Sequence, residues 1–348
     1  MRHPPITVVG AGITGLWQAL TLARRGHRVR LVEASATPFA AAASSYAGAM
    51  LGPFCETEVY APVVTALGVE SIGLWRAAFP GTVLNGTLVV AAGRDARELE
   101  HFARLTEGHE RIGAETIAVL EPDLAGRFAA GLVYAQEGHL EPLPAMQFLL
   151  QAIQEAGVEI AFAAPWPAQA VETDGGIVVD CRGLAARQQL PTLRGVRGER
   201  LIVRTREISL QRPVRLLHPR YPVYVVPWTE GRYMIGATLI ESECPGPITV
   251  RSALELLGAA YALHPAFAEA EILETGAGVR PAFPDNVPRI VGRGRTLHVN
   301  GLYRHGFLMA PALAARVADY LETGAVDARL FLLEQPARSS GHTSPTRS

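Results

Sequence analysis

The sequence contains no lysine: all 32 of its basic side chains are arginine. A Schiff base on the protein, and pyridoxal-phosphate chemistry anchored that way, is therefore excluded. Cysteine is scarce too. Cys55, Cys181 and Cys244 are scattered with no CxxC pair, so their spacing suggests neither a metal site nor a disulfide framework. A reducing, cytoplasmic setting fits them. Charge of either sign is not in excess, since 33 acidic residues leave a net charge of −1. A nucleic-acid surface, which needs a basic excess, is argued against. Outside residues 6–23, no segment reaches the roughly 18 unbroken apolar residues of a membrane span. Residues 1–5 pass straight into an apolar run and read as leaving no room for a signal peptide. The expectation is a soluble protein.

What the chain does have is an ordered opening. At 348 residues and 49% hydrophobic it can bury a large core, as one large or two intermingled domains. Residues 6–33 organise it. An apolar run meets Gly10, Gly12 and Gly15 in GxGxxG spacing, a helical segment follows, and a second apolar run ends at Glu33. Gly10 allows the tight turn, Gly12 a close approach to a pyrophosphate, and Gly15 close helix–strand packing. Free N–H groups at Ile13 and Thr14, with the helix dipole, then hold the phosphates. Glu33 stands where a carboxylate takes the ribose hydroxyls of an adenosine, followed by Ala34. The membrane-like length of residues 6–23 is explained by this nucleotide-binding pattern.

Residues 34–58 are rich in small side chains, among them Ser44, Ser45, Gly48 and Met50. They suit a backbone threading past the ribityl and pyrophosphate parts of a flavin, although composition alone also fits a flexible linker. Helices are predicted over 63–79, 96–105, 146–157, 252–263 and 264–270, and a turn within 116–124. A strand over 82–91 and a buried strand over 176–181 are predicted, the latter running into a turn at Gly183. The β-branched middle, 200–237, reads as antiparallel sheet. A polar tail, 336–348, reads as disordered.

Several stretches together resemble the flavoprotein D-amino-acid oxidase superfamily, within it the glycine oxidase branch linked to thiamine biosynthesis. They are VVGAGITGL with Glu33, ASSYAGAMLGPFCETE, LEPDL, EGHLEP, LRGVRGE, YVVPWTEGRYMIGATLIE, GVRPAFPDNVP and GLYRHGFLMAP. The resemblance implies an α/β fold: a discontinuous Rossmann-like FAD-binding domain (1–80, 140–190 and 275–335). Interleaved with it comes an α+β, antiparallel-sheet substrate domain (81–139 and 191–274). It implies non-covalent FAD; NAD as a dissociable cofactor is the weaker option. Arg280 would bind a substrate carboxylate, helped by Tyr224. The turn Tyr303, Arg304, His305, Gly306 would lie against the isoalloxazine, and N–H groups from Gly306 through Phe307 to Leu308 would stabilise charge on the reduced flavin. Departures from the family pattern are Pro222, Trp228 and His305, all near the substrate side.

The implied reaction is oxidative deamination of glycine, sarcosine or a small D-amino acid, by hydride transfer from Cα to flavin N5, with oxygen reduced to hydrogen peroxide. A guanidinium suits the carboxylate role because it binds bidentately and stays charged when desolvated. Arg304 either faces the substrate or pins the flavin rim. Two other readings stand beside this one: a dehydrogenase of the same fold passing electrons to a quinone or carrier, and a flavin-binding subunit without turnover. Homo-oligomer formation is left open.

Overall fold

Strand Ile6–Val9 is buried at every position, as a continuous apolar run requires of a strand covered on both faces. The computed structural model that contains it describes residues 4–56, 62–167, 176–219 and 222–334. This strand lies inside a seven-stranded sheet. Its order is Phe331–Leu333, Arg289–Arg293, Thr296–Asn300, Ile177–Asp180, Ile6–Val9, Val29–Val32, Glu159–Ala161. All pairs are parallel except the hairpin of Arg289–Arg293 with Thr296–Asn300. Helix Ile13–Arg24 packs on helices Gly306–Thr323 and Pro142–Glu155, and Gly306–Thr323 packs on Pro62–Ala78. Trp75 welds these helices together. It stacks on Phe307, meets Trp17 edge-on, and donates from Nε1 to the Phe307 carbonyl at 2.6 Å.

A second sheet has eight strands, ordered Glu271–Ala282, Arg194–Arg204, Arg232–Gly236, Val223–Pro227, Val214–Leu217, Thr87–Ala91, Ala130–Tyr134, Glu110–Gly113. It is antiparallel throughout except where Thr87–Ala91 runs parallel to Val214–Leu217. Strand Glu271–Ala282 crosses the position-275 boundary expected above, pairing with Arg194–Arg204 from Arg204↔Glu271 to Arg194↔Ala282. Helix Val250–Leu263 covers this sheet with Leu256, Ala260 and Leu263. A two-stranded ribbon of Met50–Leu51 and Gly138–His139 ties the small-residue stretch to the segment before helix Pro142–Glu155.

The local departures from expectation have identifiable causes. Residues 114–120 are a helix, Ala114–Leu120, anchored by buried Ile117, and the expected turn follows it at Pro122–Leu124. The strand predicted over 82–91 begins at Thr87, because Gly86 takes a positive φ of 81°. The segment after Leu263 is a 3-10 turn, Pro265–Glu269, rather than α-helix. His264, preceding a proline, is extended (φ −152°, ψ 134°) because the proline ring disfavours α geometry before it. The tail 336–348 lies outside the described residues.

Candidate active site

The carboxyl ends of strands Ile6–Val9, Ile177–Asp180 and Thr296–Asn300 open into a cavity of about 700 Å³. It runs on to Tyr224 and Arg280 in the second sheet. Ligands of open α/β sheets bind at such strand ends. At its first end, Gly10 has φ +98°, and a Cβ there would lie 2.9 Å from the Cys181 carbonyl oxygen. A Cβ on Gly15 would fall 1.8 Å from the Gly10 oxygen, so only glycine lets this helix close on its strand.

The N-cap of helix Ile13–Arg24 is Gly12, which offers no side-chain cap, and its first turn holds no acid. Its N–H groups, of which Ile13 N donates to Ser44 Oγ at 3.2 Å, therefore face a cavity wall open to an anion. Glu33 accepts from Ala11 N (2.7 Å) and Ser35 N (2.8 Å), which aims its carboxylate at the same turn. Opposite it, Arg182 pairs bidentately with Asp180, whose second partner is His298. Burial alone would raise the Asp180 carboxyl, yet His298 and Arg182 hold it down at about 2.

At the far end, Arg280 pairs in register with Val196, and its guanidinium spreads over Gly198. A Cβ at Gly198 would lie 1.9 Å from Nη2. Nη1 donates to the Thr238 carbonyl at 3.2 Å. Tyr224, half-buried, reaches Gly48, where a Cβ would lie 2.9 Å from its ring and 2.0 Å from Met234 Cε. The turn that follows is bound to the Arg280 strand, since Tyr303 N donates to Pro281 O at 2.9 Å. Tyr303 holds φ 51°, a conformation that a non-glycine residue adopts only when its surroundings enforce it. His305 then caps helix Gly306–Thr323 without a side-chain cap bond, which leaves a second helix N-terminus facing the cavity. Burial pushes the His305 imidazole down to about 4, with Arg304 and Arg280 adding to that effect and Glu56 opposing it.

Of the residues singled out by sequence, the cavity is lined by Gly10, Gly12, Ile13, Thr14, Glu33, Ala34, Ser44, Gly48, Met50, Gly183 and Tyr224. Arg280 and the run from Tyr303 to Leu308 complete that set. Gly15 and Ser45 are not on the wall. Gly15 sits beneath the turn, and the Ser45 hydroxyl donates to the Phe39 carbonyl, holding the loop. The structure adds residues that spacing could not find: Tyr46, Glu56, Trp166, Arg182, Gly198 and Asn300. Asn300 Nδ2 donates to the Gly183 carbonyl at 2.8 Å, bracing that turn from a different strand. Small side chains along 40–49, two open helix N-termini and the Glu33 carboxylate together fit a dinucleotide. Among the described residues no group of His, Cys, Asp or Glu could hold a metal ion, and no helix is long and apolar enough to cross a membrane.

Comparison with known proteins agrees with this geometry. The model of the DAO family, described as FAD dependent oxidoreductase, matches residues 5–320. A curated relative from Rhizobium etli, named for a thiamine biosynthesis oxidoreductase ThiO, is 54% identical over 319 residues, covering 91% of this chain and 96% of the relative. A glycine oxidase from Geobacillus kaustophilus is 26% identical over 354 residues, covering 91% and 92%. Among solved structures, a glycine oxidase from Geobacillus kaustophilus superposes with a TM-score of 0.79 at 24% identity, over 92% of this chain and 95% of that one.

Proposed function

We propose that this chain, which belongs to the DAO family of FAD dependent oxidoreductases, oxidises the Cα–N bond of a small amino acid to the imine. FAD is its cofactor and it is an enzyme of that family. Glycine, sarcosine or a small D-amino acid is the substrate of this reading, and relatives named as glycine oxidases support it. Similarity to the Rhizobium relative supports placing the reaction in thiamine biosynthesis.

The observation that carries the proposal is Arg280 laid flat over Gly198 at the inner end of the cavity, beside the N-terminus of helix Gly306–Thr323. Bound FAD would supply the two-electron acceptor for the Cα hydride, and in this reading oxygen would be the final acceptor, giving hydrogen peroxide. Arg280 binds the α-carboxylate, and Tyr224 on the neighbouring wall orients it. Burial holds the His305 imidazole down to about 4, which favours its neutral form on this wall of the cavity. The N–H groups of Gly306, Phe307 and Leu308, at the helix N-terminus that lines the cavity, would help hold the cofactor and would favour negative charge on it. A non-covalently held FAD fits this wall, where burial raises the Cys181 thiol away from its reactive form.

An anaerobic titration over glycine, sarcosine and D- and L-amino acids tests the reading. The yellow flavin should bleach with a small amino acid and not with a plain amine of the same size. Admitting air should return the colour with one peroxide per turnover. Bleaching by no amino acid would remove the assignment, and recovery only with an artificial acceptor would replace the oxidase by a dehydrogenase.

A further inference from the structure

A clamp on the carboxylate does not say how large a side chain the substrate carries, and the sheet face around Arg280 does. Register sets Arg200 between Gly276 and Gly236, with Tyr224 opposite Gly236, and two residues along it sets Gly198 opposite Gly278. Residues paired across antiparallel strands, and those two apart on one strand, point to the same side, so all of these share a face with Arg280. Tyr46, the last residue of the 3-10 turn Ala43–Tyr46, covers the outer strand and lines the cavity. A Cβ on Gly276 would fall 2.7 Å from its ring Cδ1, and one on Gly278 3.1 Å from Cδ2. With the backbone directly behind it, the ring cannot recede from the cavity.

Arg200 holds the ring in that place. It is only 2% exposed, and its guanidinium carbon lies 5.5 Å from the centre of the Tyr46 ring. Nη2 donates to the Ser45 carbonyl at 3.1 Å and to Glu274 Oε1 at 2.9 Å. Nε and Nη1 have no hydrogen-bond acceptor among the described residues. A guanidinium buried with donors unused costs stability, and an aromatic face over it offsets part of that cost. Lifting Tyr46 off the glycines would remove that offset. Two residues further on, the same loop is pressed on Tyr224 and Met234 at Gly48.

We infer that Tyr46, clamped by Arg200, is the specificity-determining residue of the substrate end, restricting the Cα substituent to hydrogen or methyl. The Arg280 guanidinium lies over Gly198, on a strand between the one under Tyr46 and the one that carries Tyr224. The two tyrosines therefore flank a substrate held there, and a longer side chain meets a ring that has nowhere to go. This rests on the carboxylate-binding reading of Arg280 given above.

The test compares anaerobic bleaching of the FAD-loaded enzyme by glycine and by D-leucine, as reduction rate per unit concentration. Wild type should favour glycine; equal bleaching by both overturns the proposal. Tyr46→Ala should raise the D-leucine-to-glycine ratio by about tenfold or more, and Tyr46→Phe, which keeps the ring, should leave it as in wild type. Arg200→Met should raise the ratio too and add nothing in Y46A/R200M, because Arg200 acts through the ring. Gly276→Ala drives a methyl into the ring from behind and pushes it toward the cavity. Glycine itself should then react about tenfold more slowly, with recovery in Y46A/G276A. A merely structural Tyr46 predicts a ratio unmoved in flavin-loaded Y46A or R200M, and a G276A defect that persists without the ring; either result overturns the proposal. If Y46A does not retain flavin, G276A decides alone, and undiminished glycine oxidation in it overturns the proposal. Wild type bleached by neither glycine nor any small D-amino acid would refute the proposed function itself, a different failure that takes this inference with it.

Discussion

At the scale of single residues, the site depends on charges held in fixed relation by buried neighbours. Arg280→Leu should keep FAD and fold but lose amino-acid oxidation. Removing one partner of a buried ion pair costs on the order of 3–5 kcal/mol, or about two to four decades in kcat/KM. Arg280→Lys should rescue little, since an ammonium lacks the two parallel donors. Gly198→Ala supplies an independent check: the new methyl would collide with the guanidinium, so kcat/KM should fall while the FAD spectrum is unchanged. A well-folded Arg280→Leu that still oxidises glycine at near wild-type efficiency would end the carboxylate assignment. Glu137 makes a different prediction. Burial pushes its carboxyl from 4.5 up to about 7, against opposing hydrogen bonds from Cys55, Thr87 and Phe54. The folded state therefore binds this proton more tightly than the unfolded one. Its contribution to stability is complete below pH 4.5 and is lost as pH rises through 7. Glu137→Gln removes that titration, so its Tm relative to wild type should climb between pH 5 and pH 8. A constant difference across that window would show that the ionised carboxylate is accommodated without penalty.

At the scale of elements, two helices present bare N-termini to one cavity, and each is placed by a contact that glycine or tryptophan makes feasible. Helix Ile13–Arg24 approaches its strand through Gly15, and helix Gly306–Thr323 is held by the bond from Trp75 to the Phe307 carbonyl. The loop between Val29–Val32 and the small-residue stretch starts at Glu33, whose carboxylate also accepts from Ala11 and Ser35. Glu33→Ala should thus weaken FAD retention by two routes, loss of the ribose acceptor and loosening of the turn. Hydrogen bonds to a charged group contribute roughly 1.5–3 kcal/mol each, so the FAD Kd should rise by at least about tenfold. Substrate preference, set at the other end of the cavity, should stay as it is. Unchanged FAD affinity in this variant would place the ribose acceptor elsewhere.

At the scale of the whole molecule, the cavity belongs to neither sheet alone. Residues 9–50, the 181–185 turn and the 299–308 turn supply one wall, while Tyr224, Gly198 and the strand Glu271–Ala282 supply the other. FAD bound between them should stabilise the folded chain as a unit, by RT ln(1 + [L]/Kd). The Tm should rise with added FAD, and limited proteolysis should not release a flavin-loaded fragment ending near residue 190. Such a fragment would lack Tyr303 to Leu308, and its recovery with FAD would show that this wall is dispensable.

The sequence by itself determined the nucleotide-binding opening, because strand, glycine turn, helix and acid are set by short-range spacing and backbone allowance. The resemblance carried by the motif GVRPAFPDNVP made Arg280 the carboxylate candidate. Where local signals compete, as at His264 before Pro265, the boundary shifted, since a proline's steric effect outweighed the helical pattern. What only the tertiary structure decided is which distant residues meet. Gly198 lies under Arg280 because of the register between two antiparallel strands. Glu56 meets Arg304 because its loop is held by Glu137, in the turn after strand Ala130–Tyr134, and by Arg215 of the second sheet. Asn300 braces Gly183 across adjacent strands. No periodicity encodes such contacts: they arise from sheet register and loop course, which are settled only when the two sheets close on one another.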